Sequence, residues 1–168
     1  MQLNSLYLRD FRNYQESRAA LVPGVNLLVG GNANGKTNLL EGIFYLSTGR
    51  SFRTRREQEL IRFQAEFAEL SAEVTAQERE QTLRAVLFSG RRPRQLWLNG
   101  VKQKTAAGIA GTLTSVLFCP EDLLVLKKGA APPAARHDDL PAAAKLRRRA
   151  VGISAVARSE IRAAARPL

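Results

Sequence analysis

The sequence predicts an α/β lobe in which a short apolar strand, a glycine-rich loop and an amphipathic helix lead into an antiparallel β subdomain. Three observations carry this reading. Residues 25–29 (Val-Asn-Leu-Leu-Val) are a β-branched and leucine-rich run of the kind a buried strand shows. Gly30, Gly31, Asn32, Ala33, Asn34 and Gly35 come next, and from Lys36 the apolar residues Leu39, Leu40, Ile43, Phe44 and Leu46 recur at helical spacing until Thr48-Gly49 ends them. Residues 66–76, 81–88 and 94–104 then alternate polar and apolar side chains between turns, the period of an antiparallel sheet with one wet face.

In chain order, residues 3–9 read as a strand with Leu6 and Leu8 on one face and Tyr7 on the other. Phe11-Arg12-Asn13-Tyr14 is a loop, residues 15–21 a second extended stretch, and Pro23-Gly24 a turn. Residues 54–63 are expected to hold a second short helix. Asn99-Gly100, between Leu96-Trp97-Leu98 and Val101, is a type I′ hairpin signal, because both central positions of that turn need positive φ. Residues 114–118 read as a further apolar strand, and Cys119-Pro120-Glu121-Asp122 opens the segment after it.

The chain has 168 residues, with 26 Lys and Arg against 15 Asp and Glu, a net charge of +11. That length suits one compact domain. A single cysteine, Cys119, excludes an intrachain disulfide and a multi-cysteine zinc site, and the lone His137 excludes histidine-rich metal chemistry. No apolar run approaches the roughly 20 residues of a membrane span. The N-terminal MQLNSLYLRDF lacks the pattern of a secretion signal, so a cytoplasmic protein without a membrane partner is expected. The basic excess points to a polyanionic partner. It is uneven: residues 1–128 carry 18 cations and 12 anions, while residues 129–168 carry 8 and 3, with 13 alanines and no aromatic side chain. The sequence therefore divides into a body, 1–128, and a poorly ordered Ala/Arg-rich tail, 129–168, that lacks the large side chains of a core.

Gly30, Gly31, Asn32, Ala33, Asn34, Gly35, Lys36 and Thr37 match G-x-x-x-x-G-K-[ST] in full. The glycines and asparagines permit positive φ, so successive backbone N–H groups turn inward into an anion nest. The helix that begins near Lys36 aims its unpaired N–H groups and positive end at the same place. Lys36 is placed to reach the β- and γ-phosphates, and the Thr37 hydroxyl to ligate Mg²⁺. Hydrolysis requires in addition a water-positioning group and a second acid at the end of another strand. No apolar run ends in such an acid; Val116-Leu117-Phe118-Cys119-Pro120-Glu121-Asp122 comes nearest, and Cys119-Pro120 interrupts it. No catalytic residue is assigned, and a nucleotide site without a complete hydrolytic apparatus is expected.

The motif sits among strings that resemble the RecF family of bacterial DNA replication and repair proteins. They are Leu8-Arg9-Asp10-Phe11-Arg12-Asn13-Tyr14, Val25-Asn26-Leu27-Leu28-Val29-Gly30 and Gly35-Lys36-Thr37-Asn38-Leu39-Leu40-Glu41. Leu46-Ser47-Thr48-Gly49-Arg50-Ser51-Phe52-Arg53-Thr54 and Phe118-Cys119-Pro120-Glu121-Asp122-Leu123 extend the resemblance, in order, over residues 3–128. It implies a P-loop NTPase lobe of ABC/SMC-head type with an antiparallel β subdomain, an incomplete head whose signature motif and Walker B acids belong to a C-terminal half. It also implies ATP and Mg²⁺ as cofactors, ATPase activity in the complete protein, and an ATP-dependent homodimer. Single-stranded or junction DNA, RecR and RecO are the implied partners, in gap repair, recombinase loading and the SOS response. After Lys128 the chain departs from the family, and the alternative is a truncated or frameshifted product that keeps only basic nucleic-acid binding without ATPase activity.

Arg12 is a candidate contact to the nucleotide base or phosphates, by its place in SMC-like heads; the alternative is a solvated loop arginine. Tyr14 is a candidate neighbour of the adenine or a core residue. Arg50, Arg53, Arg55 and Arg56 form a basic cluster suited to DNA phosphates or to an ordinary charged face. Arg91, Arg92, Arg94, Lys102 and Lys104 flank the Trp97 hairpin, whose indole is either a stacking platform for an unpaired base or part of the core. Glu121 and Asp122 are candidates for Mg²⁺ or the lytic water, or for a helix cap. Cys119 and His137 receive no role.

Overall fold

The computed structural model describes residues 1–76 and 78–118. Cys119, Glu121, Asp122, His137 and the tail 129–168 lie outside the described residues. Strand β1 (Gln2–Phe11) turns through Arg12-Asn13 into β2 (Tyr14–Ala20), and helix α1 (Lys36–Thr48) follows. Strands β3 (Phe67–Ala76), β4 (Arg79–Phe88), β5 (Gln95–Leu98) and β6 (Val101–Gln103) complete a six-stranded sheet of order β2-β1-β3-β4-β5-β6. Every pairing is antiparallel. Asn99 (φ 51°) and Gly100 (φ 78°) are both left-handed, as the type I′ turn between β5 and β6 demands.

Register sorts the side chains by face. Ala19, Leu6, Ala72, Leu83 and Leu98 are cross-strand neighbours in one row, and Leu8, Leu70, Ala85 and Leu96 in another. These rows form the inner face, and Leu6, Leu8, Leu70 and Leu83 are each at most 1% exposed. Burial of each such leucine contributes about 1.5–3 kcal/mol. One residue out of register, Arg18, Tyr7, Ser71, Arg84, Trp97 and Lys102 make a row on the outer face. There the Arg18 guanidinium lies 5.2 Å from the Tyr7 ring centre, and that of Arg84 4.8 Å from Trp97.

Helix α1 has the bounds its sequence predicts, and Gly49 (φ 71°) closes it by donating its N–H to the Tyr45 carbonyl at 2.7 Å. Its buried face differs from the predicted stripe. Leu39, Glu41, Gly42, Tyr45, Leu46 and Ser47 are buried, whereas Leu40 is exposed and Ile43 and Phe44 are half-buried. The reason is Gly42: a Cβ there would stand 2.9 Å from Leu8 Cδ2, so the glycine sets the helix close against β1 and fixes which side faces the sheet.

Three predicted elements take another form. Residues 25–29 form no strand: Leu27 and Val29 are 54% and 75% exposed. A buried strand needs hydrogen-bonded neighbours, and among the described residues no chain pairs with this run. Residues 54–63 contain a single 3₁₀ turn, Glu57–Leu60, because the chain then bridges to the end of β1. Arg12 N–H donates to the Leu60 carbonyl at 2.7 Å and Arg62 N–H to that of Asp10 at 2.8 Å, which holds Ile61 extended opposite Phe11. Residues 114–118 are likewise not a strand. Among the described residues no helix is long and apolar enough to cross a membrane.

Candidate nucleotide-binding site

The loop of residues 30–37 turns through positive φ at Gly30 (156°), Ala33 (67°) and Gly35 (86°), and the Asn34 N–H closes it on the Gly31 carbonyl at 3.4 Å. Gly35 is the residue before α1, and its carbonyl accepts the first helical bond from Leu39 N–H at 2.9 Å. No side chain caps this helix end and no acid lies in its first turn. Its N–H groups and positive end therefore meet no competing carboxylate from the helix itself. Lys36 lies back across the loop, its Nζ donating to the Gly30 and Gly31 carbonyls at 2.7 Å each. Asn32, Ala33, Asn34, Gly35, Lys36 and Thr37 line a cavity of about 380 Å³ together with Asn13, Asn38 and Arg53.

The loop is held from below by the turn between β1 and β2. Asn13 Nδ2 donates to the Ala33 carbonyl at 3.3 Å, and its Oδ1 accepts from Asn38 Nδ2 at 2.8 Å. The Tyr14 hydroxyl donates to the Gly35 carbonyl at 3.2 Å, and burial raises its pKa. Tyr14 is thus a strut beneath the loop.

Arg12 does not line the cavity. Its Nε and Nη2 donate to the two carboxylate oxygens of Glu41 at 2.9 and 2.7 Å, and Nη1 donates to the Glu59 carbonyl at 2.8 Å. Glu41 is fully buried on α1 and also accepts from Ser51 Oγ at 2.5 Å and Arg53 Nη1 at 3.4 Å. Asn13, Asn38, Glu41 and Ser51 escape a motif search because none belongs to the phosphate-loop pattern. Glu41 leaves one trace in the sequence: it is an acid without a cation three or four positions away on its own helix.

The basic residues separate. Arg53 lines the cavity, Arg55 and Arg56 are exposed in the segment that follows it, and Arg50 is exposed at the end of α1. Arg94 leaves the hairpin cluster: its Nη1 donates to the Gly49 carbonyl at 2.7 Å, to the Tyr45 hydroxyl at 3.1 Å and to Glu57, capping α1 at its negative end. Burial alone would lower its pKa, but Tyr45 and Glu57 outweigh that and raise it. Arg91, Arg92, Lys102 and Lys104 are exposed. Trp97 belongs to the outer face, half-buried beneath Arg84, and lies outside the core. Glu69 and Glu16 share that face and Arg84 donates to Glu69 at 2.6 Å, so its charge is mixed.

A phosphate loop opening a helix that crosses an antiparallel sheet defines the nucleotide-binding lobe of an ABC/SMC-type head. The chain belongs to the RecF/RecN/SMC N-terminal domain family, whose model matches residues 2–119. It is 41% identical over 127 residues to the DNA replication and repair protein RecF of Staphylococcus aureus, covering 76% of this chain and 34% of that protein. A solved structure of the recombination mediator protein RecF-ATP in the RecFOR pathway superposes with a TM-score of 0.69 at 35% identity, over 76% of this chain and 35% of the other. The SMC head domain from Thermotoga maritima shares the fold, with a TM-score of 0.54 at 22% identity over 65% of this chain and 41% of the other. The chain spans about a third of the length of its RecF relatives.

Proposed function

We propose that this chain is the ATP-binding lobe of a RecF-type DNA replication and repair protein. The observation that carries the reading is the loop itself: Lys36 lies across a left-handed turn that opens an acid-free helix end, within a cavity that a second cation, Arg53, also lines. In this reading the backbone N–H groups of residues 31–37 hold phosphate oxygens, and the Lys36 ammonium exchanges two neutral carbonyl acceptors for charged phosphate oxygens. Thr37 supplies a hydroxyl to Mg²⁺, with phosphate oxygens and water as the remaining ligands, a donor set that suits a cation that keeps several waters. Bound Mg²⁺ would neutralise phosphate charge. Among the described residues no group of three His, Cys, Asp or Glu side chains offers a separate metal site.

DNA, single-stranded or at a junction, is the proposed macromolecular partner. Exposed Arg55 and Arg56 in the segment after Arg53, and Arg91, Arg92, Lys102 and Lys104 around the hairpin, supply cations for its phosphates. The family resemblance adds RecR, RecO and an ATP-dependent homodimer as partners, gap repair, recombinase loading and SOS induction as the process, and the cytoplasm as its place. The test is equilibrium binding of a fluorescent ATP analogue to the full chain and to Lys36→Met, with and without Mg²⁺ and DNA. Binding lost in the variant and strengthened by Mg²⁺ is expected; equal binding by both proteins would sink the reading.

A further inference from the structure

We propose that Glu41 is a positioning residue of the nucleotide site: through Ser51 it holds the segment after α1 so that Arg53 faces the phosphate loop, with Arg12 as its fixed counter-ion. The inference rests on the ATP-binding reading above and assigns a role to a buried carboxylate that the phosphate-loop motif leaves out. Removing a carboxylate from water is costly unless charged and neutral donors replace the solvent, and Glu41 is 0% exposed. Four donor atoms surround it, from three residues in two other segments of the chain.

The four contacts differ in kind. Arg12 grips both oxygens in a planar fork and is tethered a third time at the Glu59 carbonyl, with its side chain 17% exposed. Ser51 Oγ donates to Glu41 and at the same time accepts the backbone N–H of Arg53 at 2.9 Å and of Thr54 at 3.1 Å. One carboxylate oxygen thereby sets the backbone of the turn that carries Arg53. Arg53 itself is held loosely: its Nη1 is 3.4 Å from Glu41 and 2.7 Å from Asn38 Oδ1, and its side chain is 44% exposed.

That gradation is the functional content. An anion in the loop competes for the Arg53 guanidinium, and the contact to Glu41 is the longest of the four, so it is the one given up. Arg12 and Ser51 continue to satisfy Glu41 when Arg53 turns away. The carboxylate therefore aims Arg53 without neutralising it, and Asn38, which also bonds to Asn13, ties the same guanidinium to the underside of the loop.

The experiment compares wild type, Glu41→Gln, Ser51→Ala, Arg53→Ala and the two double variants with Arg53→Ala, all as the full chain. Two quantities are read: affinity for a fluorescent ATP analogue in every protein, and the rate of trypsin cleavage after Arg53 without nucleotide in wild type, Glu41→Gln and Ser51→Ala, with thermal melting of each variant recorded. Glu41→Gln is expected to weaken ATP binding about tenfold, the scale of one hydrogen bond to a charged group, and to speed the cleavage. Ser51→Ala, which leaves the Arg12 fork intact, is expected to act in the same direction. Neither change should weaken binding further in the Arg53→Ala background. Losses that add to that of Arg53→Ala, with cleavage unchanged, would overturn the proposal. If wild type binds no ATP, the function proposed above falls, and the cleavage rates then decide on Glu41 alone.

Discussion

The Tyr14 ring occupies the space that any side chain on Gly35 would need: a Cβ at Gly35 would lie 2.8 Å from both the Tyr14 Cζ and its hydroxyl. That same hydroxyl donates to the Gly35 carbonyl at 3.2 Å. The glycine of the phosphate loop is thus required twice, once by its left-handed φ of 86° and once by its neighbour. Gly35→Ala is expected to cost about 1–2 kcal/mol from backbone strain alone, with a further loss from the clash, and to abolish ATP binding. The cost of Gly35→Ala should be smaller in a Tyr14→Ala background, where the ring is gone and only Asn13 Oδ1, 2.9 Å from the same position, still crowds it. Thermal denaturation of both single variants and the double variant gives the interaction energy, and a value of zero would show that the Tyr14 clash contributes nothing.

Arg12→Ala leaves Glu41 buried without its bidentate partner. Loss of one member of a buried ion pair typically costs about 3–5 kcal/mol. Arg12→Lys restores charge without the planar fork and should recover less than half of that loss. Urea denaturation midpoints of the three proteins measure it, and a lysine variant as stable as wild type would contradict the importance of the fork.

Burial raises the Tyr45 pKa well above its ordinary 10.0, with Glu57 adding to the shift and Arg94 opposing it. The folded protein then keeps a phenolic proton that the unfolded chain releases. The resulting stability is complete below about pH 10 and is lost as pH rises from there toward the folded value, by up to about 1.4 kcal/mol per pH unit. Tyr7 and Tyr14 are shifted in the same direction. Tyr45→Phe should flatten the alkaline fall in stability without removing it; unfolding titrations between about pH 8 and pH 11 are the measurement, and equal slopes would count against the assignment.

Leu27, Val29 and Phe63 are 54%, 75% and 85% exposed, and residues 25–29 have no strand partner among the described residues. An unpaired apolar run is a site for self-association. Light scattering of the purified chain should report association at working concentrations, reduced in Leu27→Lys and in Phe63→Ser. Scattering unaffected by either change would place the sticky surface elsewhere.

What the sequence shows of this molecule is what local rules govern. The loop of residues 30–37, both ends of α1 and the Asn99-Gly100 turn follow from neighbouring residues, and the period-2 alternation places β3, β4 and β5 correctly. Contacts made across the chain are silent. Arg12 meets Glu41 from 29 positions away and Arg94 caps Gly49 from 45, and no spacing rule links them. Residues 25–29 show the complementary limit: composition reveals an apolar run, but only the presence of neighbouring strands makes it a buried one. The buried face of α1 departs from its apolar pattern because Gly42, invisible to a hydrophobic pattern, is the residue that rests on Leu8.

Helix α1 is tied down near its start by Tyr14 and Asn13, in its middle by the Arg12–Glu41 fork, and at its end by Arg94. In mechanical terms it is a stiff beam, about 20 Å long, pinned at three stations. Three pins hold the two ends of the helix at a fixed separation and orientation, so the loop at Lys36 and the turn at Gly49 share one rigid support. Arg94, which bonds the Gly49 carbonyl, immediately precedes β5. The phosphate loop and the root of the β5–β6 ribbon are therefore fixed to the same beam.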